Sequence, residues 1–170
     1  MARLNLKLIN NEDYIPMSFE ILIVPTIPAH LRELAANLRK EDEKEILAFG
    51  RKVHHVLWRS YKSSLMRRTA FIDGKLAACW GCAGELLGSQ GIPWLLTTPE
   101  VKKISPLKFA RIYQQEVTEM LGMFPKLVNY VDPDYTASIR MLDIMGFKVS
   151  DSELILGVLV RKFEKEIEYV

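Results

Sequence analysis

Residues 127–147 narrow the choice of fold more than any other part of the chain. Leu127-Val128-Asn129-Tyr130-Val131 is a short run rich in β-branched and aromatic residues, which reads as a strand. Asp132-Pro133-Asp134 breaks it, with Asp134 placed to cap a helix. Ile139, Leu142 and Met145 then recur every three residues, forming one helical stripe. Gly146 ends that helix, because glycine takes the left-handed backbone of a helix stop at the least cost. A strand running into a helix fits a mixed sheet that combines antiparallel neighbours with helical crossovers.

The rest of the chain fills in around this unit. Leu4, Leu6 and Leu8 alternate with polar neighbours, so residues 1–18 form an extra strand or an arm. Residues 19–24 are a strand stopped by Pro25. From Ile27 the period becomes helical, with Ile27, Leu31, Leu34 and Leu38 on one face. A second helix covers residues 42–49 before Gly50, and a third continues to Tyr61. Residues 66–72 and 75–82 flank Asp73-Gly74, a dipeptide suited to the positive dihedrals of a tight hairpin turn. Residues 85–91 are a loop and residues 93–98 a short apolar strand. Ser105-Pro106 opens the longest helix as N-cap and first-turn proline. Its buried stripe is Phe109, Ile112 or Tyr113, Val117, Met120 and Phe124, and Pro125 ends it. A final strand spans residues 158–163 after a turn near Gly157. The class is α/β (α+β), a mixed central sheet flanked by helices. No linker, repeat or low-complexity tract divides residues 1–170, so one domain is expected.

Composition excludes several function classes. With 170 residues and 49% hydrophobic content the chain can bury a real core. Its longest apolar stretch, residues 76–84, is far shorter than the roughly 18 residues a membrane span needs. Met1-Ala2-Arg3-Leu4-Asn5-Leu6-Lys7 lacks the pattern of a secretory signal, so the expected place is a cytoplasm. Net charge is only +2 and the basic pairs are scattered, which argues against a nucleic-acid reader. Cys79 and Cys82 are three apart in a strand, so they point to opposite faces and share neither a bond nor a ligand. His30, His54 and His55 offer no metal-binding spacing, and no metal is expected. Adjacent His54 and His55 point about 100° apart on a helix, so at most one could face a site.

The order of elements, and above all residues 132–147, resembles the GNAT acyltransferase fold, which implies that the strands near residues 94–98 and 127–131 are parallel neighbours with residues 105–124 crossing between them. Its last helix runs Asn-x-x-Ala/Ser through a Tyr to Gly-Phe. Here Gly146-Phe147 is present, while Leu142 stands at the Tyr position and Tyr135 at the Asn position. More narrowly, the chain is similar to a phage-encoded GNAT-like family related to the small internal virion proteins of short-tailed phages. That likeness rests on residues 32–37, Gly91-Ile92-Pro93-Trp94-Leu95-Leu96-Thr97, Leu127-Val128-Asn129-Tyr130-Val131-Asp132, Ser138-Ile139-Arg140 and Gly146-Phe147. It spans residues 19–147.

The resemblance implies two readings. In the first, the chain is a catalytically degenerate GNAT-fold protein acting in virion assembly or as an internal virion component. It would then need no cofactor, and would have virion or host proteins as partners in the bacterial cytoplasm or the phage particle. In the second, it is an acyl-CoA-dependent N-acetyltransferase with an atypical pocket, using acetyl-CoA. The family's phosphate loop, Arg/Gln-x-x-Gly-x-Gly/Ala, is here Thr98-Pro99-Glu100-Val101-Lys102-Lys103-Ile104-Ser105-Pro106-Leu107, with no glycine between Gly91 and Gly122. An anion there would use the N–H groups of Leu107 and Lys108 at the helix start, with Lys102 and Lys103. Candidates for acid–base work are Glu85, Tyr130 and Tyr135, with Glu45 on the second helix. Asn129, Tyr130 and Asp132 form a polar cluster at a strand end or cap the next helix. Leu142 is expected to be core.

Overall fold

The computed structural model describes residues 19–85 and 87–167. The arm or strand expected over residues 1–18 lies outside them. Among the described residues the chain runs β1 (Ile21–Pro25), α1 (Pro28–Ala36), α2 (Lys40–Ala48), α3 (Val53–Ser63), β2 (Ser64–Ile72) and β3 (Lys75–Ala83). It continues with β4 (Gln90–Thr97), a 3-10 helix (Pro99–Lys103), α4 (Pro106–Met123), β5 (Lys126–Val131), α5 (Thr136–Ile144), β6 (Lys148–Ile155) and β7 (Val158–Glu166). The strands form one seven-stranded sheet in the order β1-β2-β3-β4-β5-β7-β6.

Local chemistry explains most of the boundaries. The β2–β3 hairpin turns on Asp73 and Gly74, both at positive φ, as the Asp-Gly pair requires. Ser105 caps α4 by accepting a hydrogen bond from the Lys108 N–H, and Pro106 takes the first turn. Phe109, Tyr113, Val117, Met120 and Phe124 bury the inner stripe of α4, which places Tyr113 rather than Ile112 in the core. Gly146 sits at φ +76° and stops α5.

The sheet separates two cores. Trp80, Cys82, Tyr113, Phe124, Leu127, Leu142 and Phe147 pack on the α4–α5 side. Leu34, Ile46, Leu57, Leu76, Cys79 and Leu96 pack under α1–α3. The two cysteines are free and buried, one in each core, as the strand period requires.

β4 and β5 are parallel neighbours with α4 crossing between them. Three expectations are corrected. Ile27 is not part of the α1 stripe: it is the residue before the helix and is half exposed, so Leu31 and Leu34 carry the burial. Asp134 does not cap α5; Tyr135 occupies that position, and the Asp134 N–H instead donates to Asp132 Oδ1. β6 was not expected at all. It is an edge strand with mostly exposed side chains, so it carries little apolar periodicity to read.

Candidate functional site

β4 and β5 pair only at their first residues, Gln90 with Lys126 and Gly91 with Leu127, and then diverge. Glycine is required at that vertex. A Cβ on Gly91 would lie 2.6 Å from both Cys82 Sγ and a ring carbon of Phe124, which is wholly buried beneath it. Beyond the vertex the two strands open a gap. Ladder alternation decides what faces it: Thr98 N–H donates to Ala77 O across to β3, so Pro93, Leu95 and Thr97 turn away from β3 toward β5. Pro93 can occupy a central strand here because no ladder bond needs its missing N–H.

Both ends of the gap are bridged. At the inner end Asn129 Nδ2 donates to Pro93 O at 2.8 Å. At the outer end α2 ties the strands together through its carboxylates. Thr97 N–H and Oγ1 donate to Asp42 Oδ2 at 3.0 and 2.7 Å, and Arg39 N–H donates to Thr97 O. The N–H of Asp132, just past β5, donates to Glu45 Oε1 at 2.9 Å. Tyr135 donates through its hydroxyl to Asp42 Oδ1 at 3.4 Å, beneath the Arg39 guanidinium 5.2 Å from its ring. Between the bridges, Leu95 presents its N–H and C=O to the gap. Arg39 Nε is buried, 3.7 Å from Glu41 Oε2 in an ion pair that falls short of a hydrogen bond.

This crowding of acids has electrostatic consequences. Burial pushes the Glu45 carboxyl up to about 7; Asp42 and Asp132 add to the rise and the Asp132 N–H opposes it. Burial also raises Asp42, against the pull of Arg39 and Thr97. A carboxyl near 7 at the mouth of a strand gap is the kind of group that serves as a base at neutral pH.

The expected site residues scatter. Glu85 is exposed in the β3–β4 loop, at the closed end of the gap, away from the other acids. Tyr130 lies on the face of β5 opposite Leu127 and Val131 and is 40% exposed. Tyr135 is at the open end and Glu45 directly on it. The cluster of Asn129 and Asp132 holds the gap open and tied rather than capping α5. At the α4 start, Lys108 N–H is already taken by Ser105 and Pro106 has none, so Leu107 N–H is what remains. Lys103 pairs with Glu100, whereas Lys102 and Lys108 are exposed beside it. Asp42 and Arg39 were missed by sequence reading. The signal was there: Asp42 and Ile46 are four apart on α2 and both buried, so an acid shared the inward face.

An acyl-bearing amide chain fits the gap in one respect and meets a reduced anion site in another. The Leu95 edge offers its N–H and C=O to its amides. Its phosphates would meet Lys102, Lys108 and a single N–H rather than a nest of backbone donors. Among the described residues no cluster of histidine, cysteine or carboxylates is placed to hold a metal ion.

No family model matches the chain, and no curated protein sequence does. Solved structures do match. One is an acetyltransferase of the GNAT family from Streptococcus pneumoniae, at TM-score 0.59 and 14% identity, covering 88% of this chain and 100% of that one. Another is spermidine N-acetyltransferase from Vibrio cholerae in complex with CoA and spermine, at TM-score 0.61 and 11% identity, covering 86% and 95%. A third is aminoglycoside acetyltransferase AAC(6')-Ib in complex with coenzyme A, at TM-score 0.62 and 11% identity, covering 86% and 95%. The mixed seven-stranded sheet with its flanking helices is thus the GNAT fold. Identities this low speak to the fold alone.

Proposed function

We propose that the chain is an acyl-CoA-dependent N-acyltransferase whose working groups meet in the gap between β4 and β5. The observation that carries this is Glu45, a carboxyl held at about 7 beside an unpaired strand edge. A base with that pKa is ionised in useful proportion at neutral pH and still binds a proton well. When bound, acyl-CoA supplies an activated thioester carbonyl.

The chain's own part is positioning and proton transfer. Leu95 N–H and C=O align an extended amide arm, as an added strand would be aligned. Glu45 Oε2, the oxygen not engaged by Asp132, accepts the proton of an amine. Tyr135 is the phenol at the same rim, available to return a proton to a departing sulfur. Lys102 and Lys108 hold the phosphates. Leu142 takes no part. That three solved neighbours bear acetyltransferase names supports this reading over a purely structural role.

Calorimetry with acetyl-CoA tests it. A saturable signal is expected, weakened by Lys102→Glu combined with Lys108→Glu. A silent titration would sink the proposal. It would favour the second reading, a degenerate scaffold in virion assembly or inside a virion, bound to virion or host proteins. The glycine-free, internally capped loop before α4 is the feature that supports that second reading.

A further inference from the structure

Along the sequence the basic residues are scattered, but the fold gathers some of them. Residues 46–72 contain no aspartate or glutamate, while Arg51, Lys52, Arg59, Lys62, Arg67 and Arg68 all fall within them. On α3, Leu57 turns inward and is buried, whereas Trp58, Arg59 and Lys62 share the exposed outer side. Arg68 pairs with Glu119 of α4. Among the described residues Arg59 and Lys62 pair with no carboxylate, and neither does Arg32 on α1.

These three cations edge a groove of about 800 Å³ between α1 and α3. Its floor is apolar, with Leu31 and Leu57 both buried, and none of its lining residues is acidic. Trp58 lines it and is 42% exposed, although its ring stacks on Tyr61 with centroids 5.5 Å apart and planes 11° from parallel. Lys62 Nζ lies 5.5 Å from the centre of the Trp58 ring, and the Arg67 guanidinium 4.4 Å from that of Tyr61. Rings and cations thus alternate along one side of an apolar trough. An acidic peptide would use the cations but not the flat rings. An anionic membrane would call for protruding apolar side chains rather than a recess. A polymer with a flat base and a negative charge in every repeat uses cations, rings and trough together.

We infer that the α1–α3 groove binds single-stranded nucleic acid through its phosphates and bases, without reading the sugar. Arg59 and Lys62 hold phosphates on one rim and Arg32 on the other. Arg59 and Lys62 are three apart on a helix, so their charges follow one another along the strand. A base lies over Leu31 and Leu57 against Trp58. An apolar floor offers nothing to a 2′-hydroxyl, so RNA and DNA serve alike. A duplex is a poor ligand, because its bases already stack on one another. The groove shares no lining residue with the β4–β5 gap, so the inference is independent of the acyltransferase proposal.

Fluorescence anisotropy of labelled RNA and DNA strands of mixed sequence, roughly 12 nucleotides long, titrated with the whole chain, tests it. Both strands should bind saturably, with affinities within about threefold of each other. Log K should fall against log salt with a slope of about −2, since three cations each contribute about 0.7. Arg59→Gln or Lys62→Gln should reduce that slope by about 0.7. Lys148→Gln, an equal loss of charge at an exposed position on β6, should leave it unchanged. Trp58→Ala should weaken binding roughly tenfold at an unaltered slope, as the loss of one stacked base does. Trp58→Phe, which keeps a ring against Tyr61, should recover part of that loss. Absence of binding at protein concentrations on the order of 100 μM overturns the inference. So does equal affinity for a duplex, a preference for one sugar of about tenfold, or indifference to Trp58→Ala. Binding confined to anionic vesicles or to a polyglutamate peptide overturns it as well.

Discussion

Leu142 and Glu45 show how differently single residues can be read. Leu142 occupies the position of a tyrosine in the resembled family, yet it is buried on the inner stripe of α5 among Leu127, Met145 and Phe147. Leu142→Ala should cost about 2–5 kcal/mol in denaturant unfolding, as buried leucine deletions do. Leu142→Tyr should overpack the site and cost about 1–3 kcal/mol. Well-tolerated tyrosine would mean that α5 faces an open cleft. Its core role was legible from spacing alone. Glu45 was legible only as a possibility, because nothing in its neighbours in sequence announces burial. Its carboxyl sits near 7 in the folded chain against an ordinary 4.5. Between those values the native state keeps a proton that the unfolded state has lost. The contribution of Glu45 to stability is therefore fullest below about pH 4.5 and falls as pH rises through 7. Glu45→Gln should flatten that fall, which is on the order of 3 kcal/mol at most. The same substitution should remove the rising limb near pH 7 from any acetyl transfer rate. A limb that survives would exclude Glu45 as the base.

At the scale of elements, α2 is the piece that makes the site. The helix itself is short, with Glu41, Asp42 and Glu43 in its first turn, where the helix dipole favours acids. What holds it over the gap is Asp42, which takes two hydrogen bonds from Thr97. Asp42→Ala would leave the Thr97 N–H and hydroxyl unpaired in a buried place, at about 1–3 kcal/mol. Hydrogen exchange should then speed selectively in α2 and at Thr97, while α4 stays protected. Uniform acceleration over the chain would show that α2 is no separate latch. α4 and the β2–β3 hairpin were readable in advance because their caps, stripes and turn residues are local. β6 was not, because an edge strand buries too little to leave a pattern.

Across the whole molecule the sheet acts as a partition, and the cysteines report on it. Cys79 and Cys82 lie in separate cores, with thiols pushed by burial to about 11 and about 12. Neither should react with a thiol reagent until global unfolding, so labelling rates should track the unfolding rate of the chain. Rapid labelling of one thiol in native conditions would show that one core opens alone. Sequence by itself determined the local periods: the stripes of the helices and of the strands other than β6, where α4 begins, and that the two thiols part company. These properties come from steric and hydrophobic rules that act over a few residues. Only the tertiary structure decided that Arg39, Asp42 and Glu45 meet Thr97, Asp132 and Tyr135 at the open end of β4 and β5. Those groups lie up to 96 residues apart (135 − 39). Their pKa values come from shared burial, a property of the assembled fold that no local pattern contains.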